Sequence, residues 1–154
     1  MASNRASWDE TWATVARAVA KRSACGRAQV GAVLVRDNRV IATGYNGPAS
    51  GHPADTSQDC QAWCMRAMAE RVDKEFAYGF GCPSIHAEAN ALLYASRAET
   101  ERATLYVTHS PCADCAKLIS NSGVTRVVML EFPPAHRPNP TSYLEMCGLV
   151  VEIL

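Results

Sequence analysis

Of the seven cysteines and four histidines in this 154-residue chain, three fall in two short segments whose spacing suits a metal. His86-Ala87-Glu88 opens a stretch of helical periodicity, and Pro111-Cys112-Ala113-Asp114-Cys115 stands where a strand runs into a helix. Two thiols at C-x-x-C spacing on a helix N-terminus can bind one metal, and the positive end of the helix dipole favours their thiolate form. His86 would be a third ligand, from a second helix N-terminus. Three protein ligands leave one tetrahedral position open for water, which marks a catalytic zinc rather than a structural one. Glu88 sits on the same first helical turn as His86 and is not needed by the metal, so it is the natural proton shuttle. Pro111 fixes the backbone ahead of the cysteine pair. A C-x-x-C alone also suits a redox pair or half of a structural zinc site, and a lone H-x-E on a helix carries little signal. Together, in this order and on these elements, the two favour metal-assisted hydrolysis.

The elements that must position these residues can be read from periodicity. Trp8, Trp12, Val15, Ala16 and Val19 recur at helical spacing, which predicts an amphipathic helix over about 6–22. Residues 29–35 and 39–43 read as a hairpin turning at Asp37-Asn38. Helical periodicity returns over 85–96, a strand is predicted at 104–108, and a helix at 112–122 ended by Gly123. A strand at 124–130, a short helix at 141–147 and a strand at 149–154 complete the chain. Alternation of strands and helices in the second half implies parallel strands, and the first hairpin makes the sheet mixed. The expected fold is an α/β, three-layer α/β/α sandwich around a five-stranded sheet, in one domain spanning 1–154.

Between these halves, residues 44–84 show no clear strand, with a helix-like patch near 61–72. An irregular segment of this length is usually functional or disordered. His52, Cys60, Cys64 and Cys82 lie in it, and Cys25 just before the hairpin. Trp63, Tyr78 and Phe80 could stack on a base or pack the insert against the domain. His109 could line a pocket, His136 lies in a proline-rich loop, and Cys147 reads as core.

Fifteen basic and fifteen acidic side chains balance to zero net charge, with 48% apolar and 19% charged residues. A protein that grips a nucleic-acid backbone usually carries a basic stripe, and none is evident, so a small substrate is favoured over a polymer. No apolar run approaches the ~20 residues of a membrane span, and the N-terminus lacks a secretory core. A cytoplasmic location is the expectation. The odd cysteine count without an export signal favours metal binding over a disulfide framework.

H-x-E followed by P-C-x-x-C is the known signature of zinc-dependent nucleobase deaminases, and at these residues the chain resembles the cytidine and deoxycytidylate deaminase superfamily. It is most similar to the deoxycytidylate (dCMP) deaminases, through Ile85-His86-Ala87-Glu88-Ala89-Asn90-Ala91, Leu105-Tyr106-Val107-Thr108 and Ser110 to Lys117. Val30-Gly31-Ala32-Val33 and Gly44-Tyr45-Asn46-Gly47 resemble that family as well. The resemblance implies a cytidine-deaminase-like fold and hydrolysis of dCMP to dUMP and ammonia with a catalytic zinc. It implies that Asn46 faces the sugar or base, that Ala87 offers its backbone N–H to the pyrimidine carbonyl, and that backbone near Ser110 and Pro111 accepts from the exocyclic amine. Arg27 is the candidate for the phosphate, with a solvated surface arginine as the alternative. A second, structural zinc is implied by similarity to several relatives, with Cys25, His52, Cys60, Cys64 and Cys82 as candidate ligands.

Relatives of this kind also suggest a homo-oligomer and a dCTP or dTTP effector acting through the region after Gly47. Two departures stand out: a short gap between Glu88 and Pro111, read as a trimmed loop around 97–102, and a loose match over 48–52. The rivals are deaminases of 5-substituted dCMP, of free cytidine or of tRNA adenosine. The last typically carry Glu where this chain has Ser110. A non-catalytic zinc module of the same fold is the rival from another class, and Glu88 argues against it.

Overall fold

The computed structural model describes residues 5–52, 64, 82–131 and 139–154. Helix α1 (Trp8–Ala20) starts at Ser7, whose hydroxyl accepts from the Glu10 N–H at 3.1 Å while the Glu10 carboxylate takes the Ser7 N–H at 2.7 Å. Strands β1 (Gly31–Arg36) and β2 (Arg39–Tyr45) form the expected antiparallel hairpin. Its two turn residues, Asp37 and Asn38, take φ of 51° and 54°, the left-handed conformation that a tight hairpin turn demands.

Two short strands, β3 (Gly47–Pro48) and β4 (Ser84–Ile85), pair antiparallel. They correct the reading of 44–84 as strandless: a two-residue ladder is too short to leave a periodic signal. Helix α2 (Ala87–Leu93) follows directly. The predicted loop around 97–102 is instead a single-turn helix, α3 (Arg97–Thr100), with Ser96 and Glu99 closing a capping box. Strand β5 (Thr104–Val107), helix α4 (Ala113–Ser120), strand β6 (Arg126–Met129), helix α5 (Thr141–Met146) and strand β7 (Val150–Ile153) complete the order. Gly123, at φ 97°, provides the turn after α4. Cys147, read as core, is exposed at the end of α5; it is Leu144 that α5 buries.

The sheet runs β2-β1-β5-β6-β7, antiparallel through β1 and parallel from β5 to β7. Alternate side chains divide the core into two layers, as a period of two requires. Val33, Val35, Tyr106 and Val128 face Ala16, Trp12 and Val19 of α1. Ala32, Leu34, Leu105, Val107, Val127 and Met129 face Ala87 and Ala91 of α2, Ile119 of α4 and Leu144 of α5. This is the three-layer sandwich with a mixed sheet that the sequence predicts. Among the described residues, no helix is long and apolar enough to cross a membrane.

Two glycines bring the helices onto the sheet. A Cβ on Gly31 would lie 2.2 Å from the Ala16 carbonyl oxygen of α1. A Cβ on Gly44 would lie 2.2 Å from the Ala87 carbonyl oxygen and 2.4 Å from the Ala91 nitrogen of α2. The second contact matters for chemistry, because α2 carries Glu88 on its first turn and His86 immediately before it.

Candidate active site

Two helix beginnings meet beside the sheet. His86 is the N-cap of α2, at φ −68° and ψ 152°, and Cys112 is the N-cap of α4, at φ −76° and ψ 170°. Both are extended, as caps are. The Cys112 sulfur takes the place of a capping oxygen, accepting the Cys115 N–H at 3.4 Å.

His86 Nδ1 lies 3.5 Å from the Cys112 sulfur and 3.5 Å from the Cys115 sulfur. All three ligand atoms fall within 4.8 Å of one another, the one such group among the described residues. Zn–N and Zn–S bonds of about 2.05 and 2.3 Å at a tetrahedral angle put N and S about 3.6 Å apart. The donor set and its spacing therefore fit zinc, and two soft thiolates with an imidazole favour it further. The hydrogen bond from Cys115, helped by His86, holds Cys112 far below the usual thiol range, while that same bond and burial push Cys115 up.

Glu88 is the second residue of α2 and is 4% exposed. Burial pushes its carboxyl up to about 7, against the stabilising pull of its own backbone N–H and of His86. A carboxyl in that range can both take and give a proton near neutral pH, which suits acid–base work.

The cluster opens into a cavity of about 210 Å³. Asn46, Ala87, Arg27 and Ser110, each predicted from the sequence as a substrate contact, all line it with Glu88, His86 and Cys112. Asn46 is buried and mostly committed to the backbone. Its Oδ1 accepts the Val30 N–H at 2.8 Å and its Nδ2 donates to the Ala28 carbonyl at 2.8 Å. That clamp fixes the approach to β1 and leaves one amide hydrogen and one Oδ1 lone pair. Ala87, the first residue of α2, has an N–H with no intrahelical acceptor.

His109 also lines the cavity. The Thr108 hydroxyl oxygen accepts the Gly31 N–H at 3.1 Å and lies 2.9 Å from His109 Nδ1. His109 Nε2 lies 3.5 Å from the Glu131 carboxylate.

Cys25, Cys64 and Cys82, candidate ligands of a second metal, reach the same cavity, and Cys64 is buried. Among the described residues the three do not reach the mutual 4.8 Å spacing of the His86 group, and His52 is not among the lining residues. Cys60 lies outside the described residues, as do Trp63, Tyr78, Phe80, His136 and the helix-like patch at 61–72. Sequence reasoning missed Ser84, another lining residue. The available signal was its place two positions before His86 on an extended segment, which puts both side chains on one face.

Residues 6–131 match the cytidine and deoxycytidylate deaminase zinc-binding region. The chain is 45% identical to the deoxycytidylate deaminase of Mycobacterium phage D29 over 128 residues, covering 81% of this chain and 95% of that one. It is 33% identical to the deoxycytidylate deaminase of Enterobacteria phage T2 over 163 aligned positions, 89% of this chain and 87% of that one. Among solved structures, the dCMP deaminase of cyanophage S-TIM5 in complex with dCMP and dUMP superposes with a TM-score of 0.70. That match is at 27% identity and covers 94% of this chain and 95% of the other.

Proposed function

This chain belongs to the cytidine and deoxycytidylate deaminase family, and we propose that it hydrolyses dCMP to dUMP and ammonia. The observation that carries the reading is Glu88, a buried carboxyl on the first turn of α2 that lines one cavity with His86 and Cys112 of the metal-ligand group. A purely structural metal site has no use for such a group.

His86, Cys112 and Cys115 would hold zinc, which when bound supplies a Lewis acid that acidifies water. Glu88 takes a proton from the attacking water and passes it to ring nitrogen N3. It then takes the remaining proton from the new hydroxyl on C4 and delivers it to the 4-amino nitrogen as the C4–N bond breaks, so that a C4 carbonyl forms and ammonia leaves. The Ala87 N–H donates to the pyrimidine carbonyl, and backbone at Ser110 accepts from the amine. The remaining amide hydrogen of Asn46 is available to the sugar or base. Arg27, on the rim of the same cavity, suits the 5′-phosphate.

Zinc-loaded protein mixed with dCMP should lose the cytosine absorbance as dUMP forms, at a rate far above the uncatalysed one. A folded, zinc-holding protein that leaves dCMP untouched while converting 5-substituted dCMP, deoxycytidine or an RNA adenosine would overturn the substrate assignment.

A second zinc draws support from the convergence of Cys25, Cys64 and Cys82, from separated stretches of chain, on one cavity. Metal analysis should then return two zinc ions per chain, falling to one in Cys64→Ser. One ion in both proteins would remove the second site.

A further inference from the structure

Only three buried side-chain polar atoms have no hydrogen-bond partner among the described residues, and two of them are the hydroxyls of Ser84 and Ser110. Both residues line the cavity that holds Glu88. The third, Trp12 Nε1, belongs to α1 on the opposite face of the sheet. Buried polar atoms are paired in the great majority of cases, so two orphans in one cavity require a reason.

Their positions in the chain supply one. Ser84 precedes His86 by two residues, and Ser110 precedes Cys112 by two. His86 and Cys112 are both extended, and Ser84 is in β4. On extended backbone, residues two apart share a face. Ser84 therefore lies on the same side of its segment as His86, and Ser110 lines the same cavity as Cys112. The reacting end of a substrate must sit against those ligands and Glu88, which puts the two hydroxyls beside the base and away from the phosphate.

Each oxygen is enclosed and has no protein hydrogen-bond partner among the described residues, so its side chain must turn to present it to the cavity. A serine hydroxyl has three staggered positions and can both donate and accept, so it can turn to meet a bound group. We propose that Ser84 is a specificity-determining residue whose hydroxyl hydrogen-bonds the pyrimidine of the bound nucleotide, with the Ser110 hydroxyl as its counterpart across the cavity. This rests on the reading of the site as a cytosine-nucleotide deaminase. The hydroxyl is satisfied only in the complex, so it contributes to recognition and nothing to the stability of the free fold.

The test compares wild type, Ser84→Ala, Ser84→Thr and Ser110→Ala, each zinc-loaded, by steady-state kinetics on dCMP and by melting without nucleotide. Ser84→Ala should lower kcat/KM about tenfold, the loss of one hydrogen bond to the substrate. Its Tm should equal or exceed that of wild type, because the group removed was unpaired. Ser84→Thr, which keeps the hydroxyl, should recover most of the activity, and Ser110→Ala should repeat the pattern of Ser84→Ala. Unchanged kinetics in Ser84→Ala, or a lowered Tm, would overturn the proposal; the second result would make Ser84 structural. A wild type inert towards dCMP would instead sink the functional reading on which it rests.

Discussion

Two polar clusters on opposite faces of the sheet have opposite characters. Under α1, Arg126 makes a bidentate contact to Asp9 at 2.7 and 2.9 Å, and its Nε donates to Glu152 at 2.6 Å. The Tyr106 hydroxyl donates to the same Asp9 carboxylate at 2.6 Å. The charges are paired, and each pKa moves so as to keep its charge or proton: Asp9 falls to about 2, chiefly through Arg126, while burial and Asp9 push Tyr106 up to about 12. Across the sheet, Glu88 is buried at a raised pKa and two serine hydroxyls lack partners. The first cluster spends its hydrogen-bonding capacity within the fold and ties α1 to β6 and β7. The second keeps capacity in reserve, as a site built to meet a ligand must.

Substitutions can break this contrast at either cluster. The largest combined effect is expected from Gly44→Val, whose side chain would enter the backbone of α2 near Ala87 and Ala91. Displacing α2 should cost about 1–3 kcal/mol of stability, the usual range for overpacking, and should also cut kcat by moving Glu88. Retained kcat in a correctly folded Gly44→Val protein would show that α2 need not lie so close.

Arg126→Ala should separate the two properties. It leaves Asp9 and Glu152 without their cation, and because the site is part-exposed, a loss of about 1–2 kcal/mol is expected, below the fully buried figure. Per folded molecule, kcat and KM should stay within about twofold, since Arg126 lies across the sheet from the cavity. A matching fall in kcat would show that the clusters are coupled.

Acid sharpens the same point. Asp9 is depressed in the folded state, so its contribution is fully present above the ordinary carboxylate pKa of about 4 and is lost as pH falls towards about 2. Stability measured by denaturant between pH 5 and pH 2 should therefore fall less steeply in Arg126→Ala than in wild type. Equal slopes would show that the Asp9–Arg126 pair does not set the acid sensitivity. The smallest effect belongs to Cys147→Ser, which at an exposed position should shift stability by no more than about 0.5 kcal/mol.

What the sequence made legible follows physical lines. The long periodic elements and the ligand triad could be read because each rests on fixed local spacing: three to four residues per helical turn, two per strand, C-x-x-C at a helix start. The β3–β4 ladder left no such trace, since two residues cannot show a period. Helix α3 was readable in principle from Ser96-x-x-Glu99, the same capping box that starts α1 at Ser7. Cys147 was misjudged because a short amphipathic helix gives too few turns to fix its buried side, and Leu144 took it. The commitment of Asn46 to Ala28 and Val30 could not be foreseen, because it spans 16 and 18 residues of chain. Unpaired hydroxyls are likewise visible only once every neighbour is placed.

The most direct test of the contrast is Glu88→Gln, an isosteric change that keeps the buried side chain's shape and removes the shuttle. Zinc content, Tm and turnover of dCMP would be measured on one preparation, beside wild type. A full zinc complement, a Tm no lower than wild type and turnover reduced by about 10²–10⁴-fold, the usual contribution of general acid–base catalysis, are expected. A Glu88→Gln protein that deaminates at the wild-type rate would contradict this, because the reserve of proton-carrying capacity at Glu88 would then have no part in the chemistry.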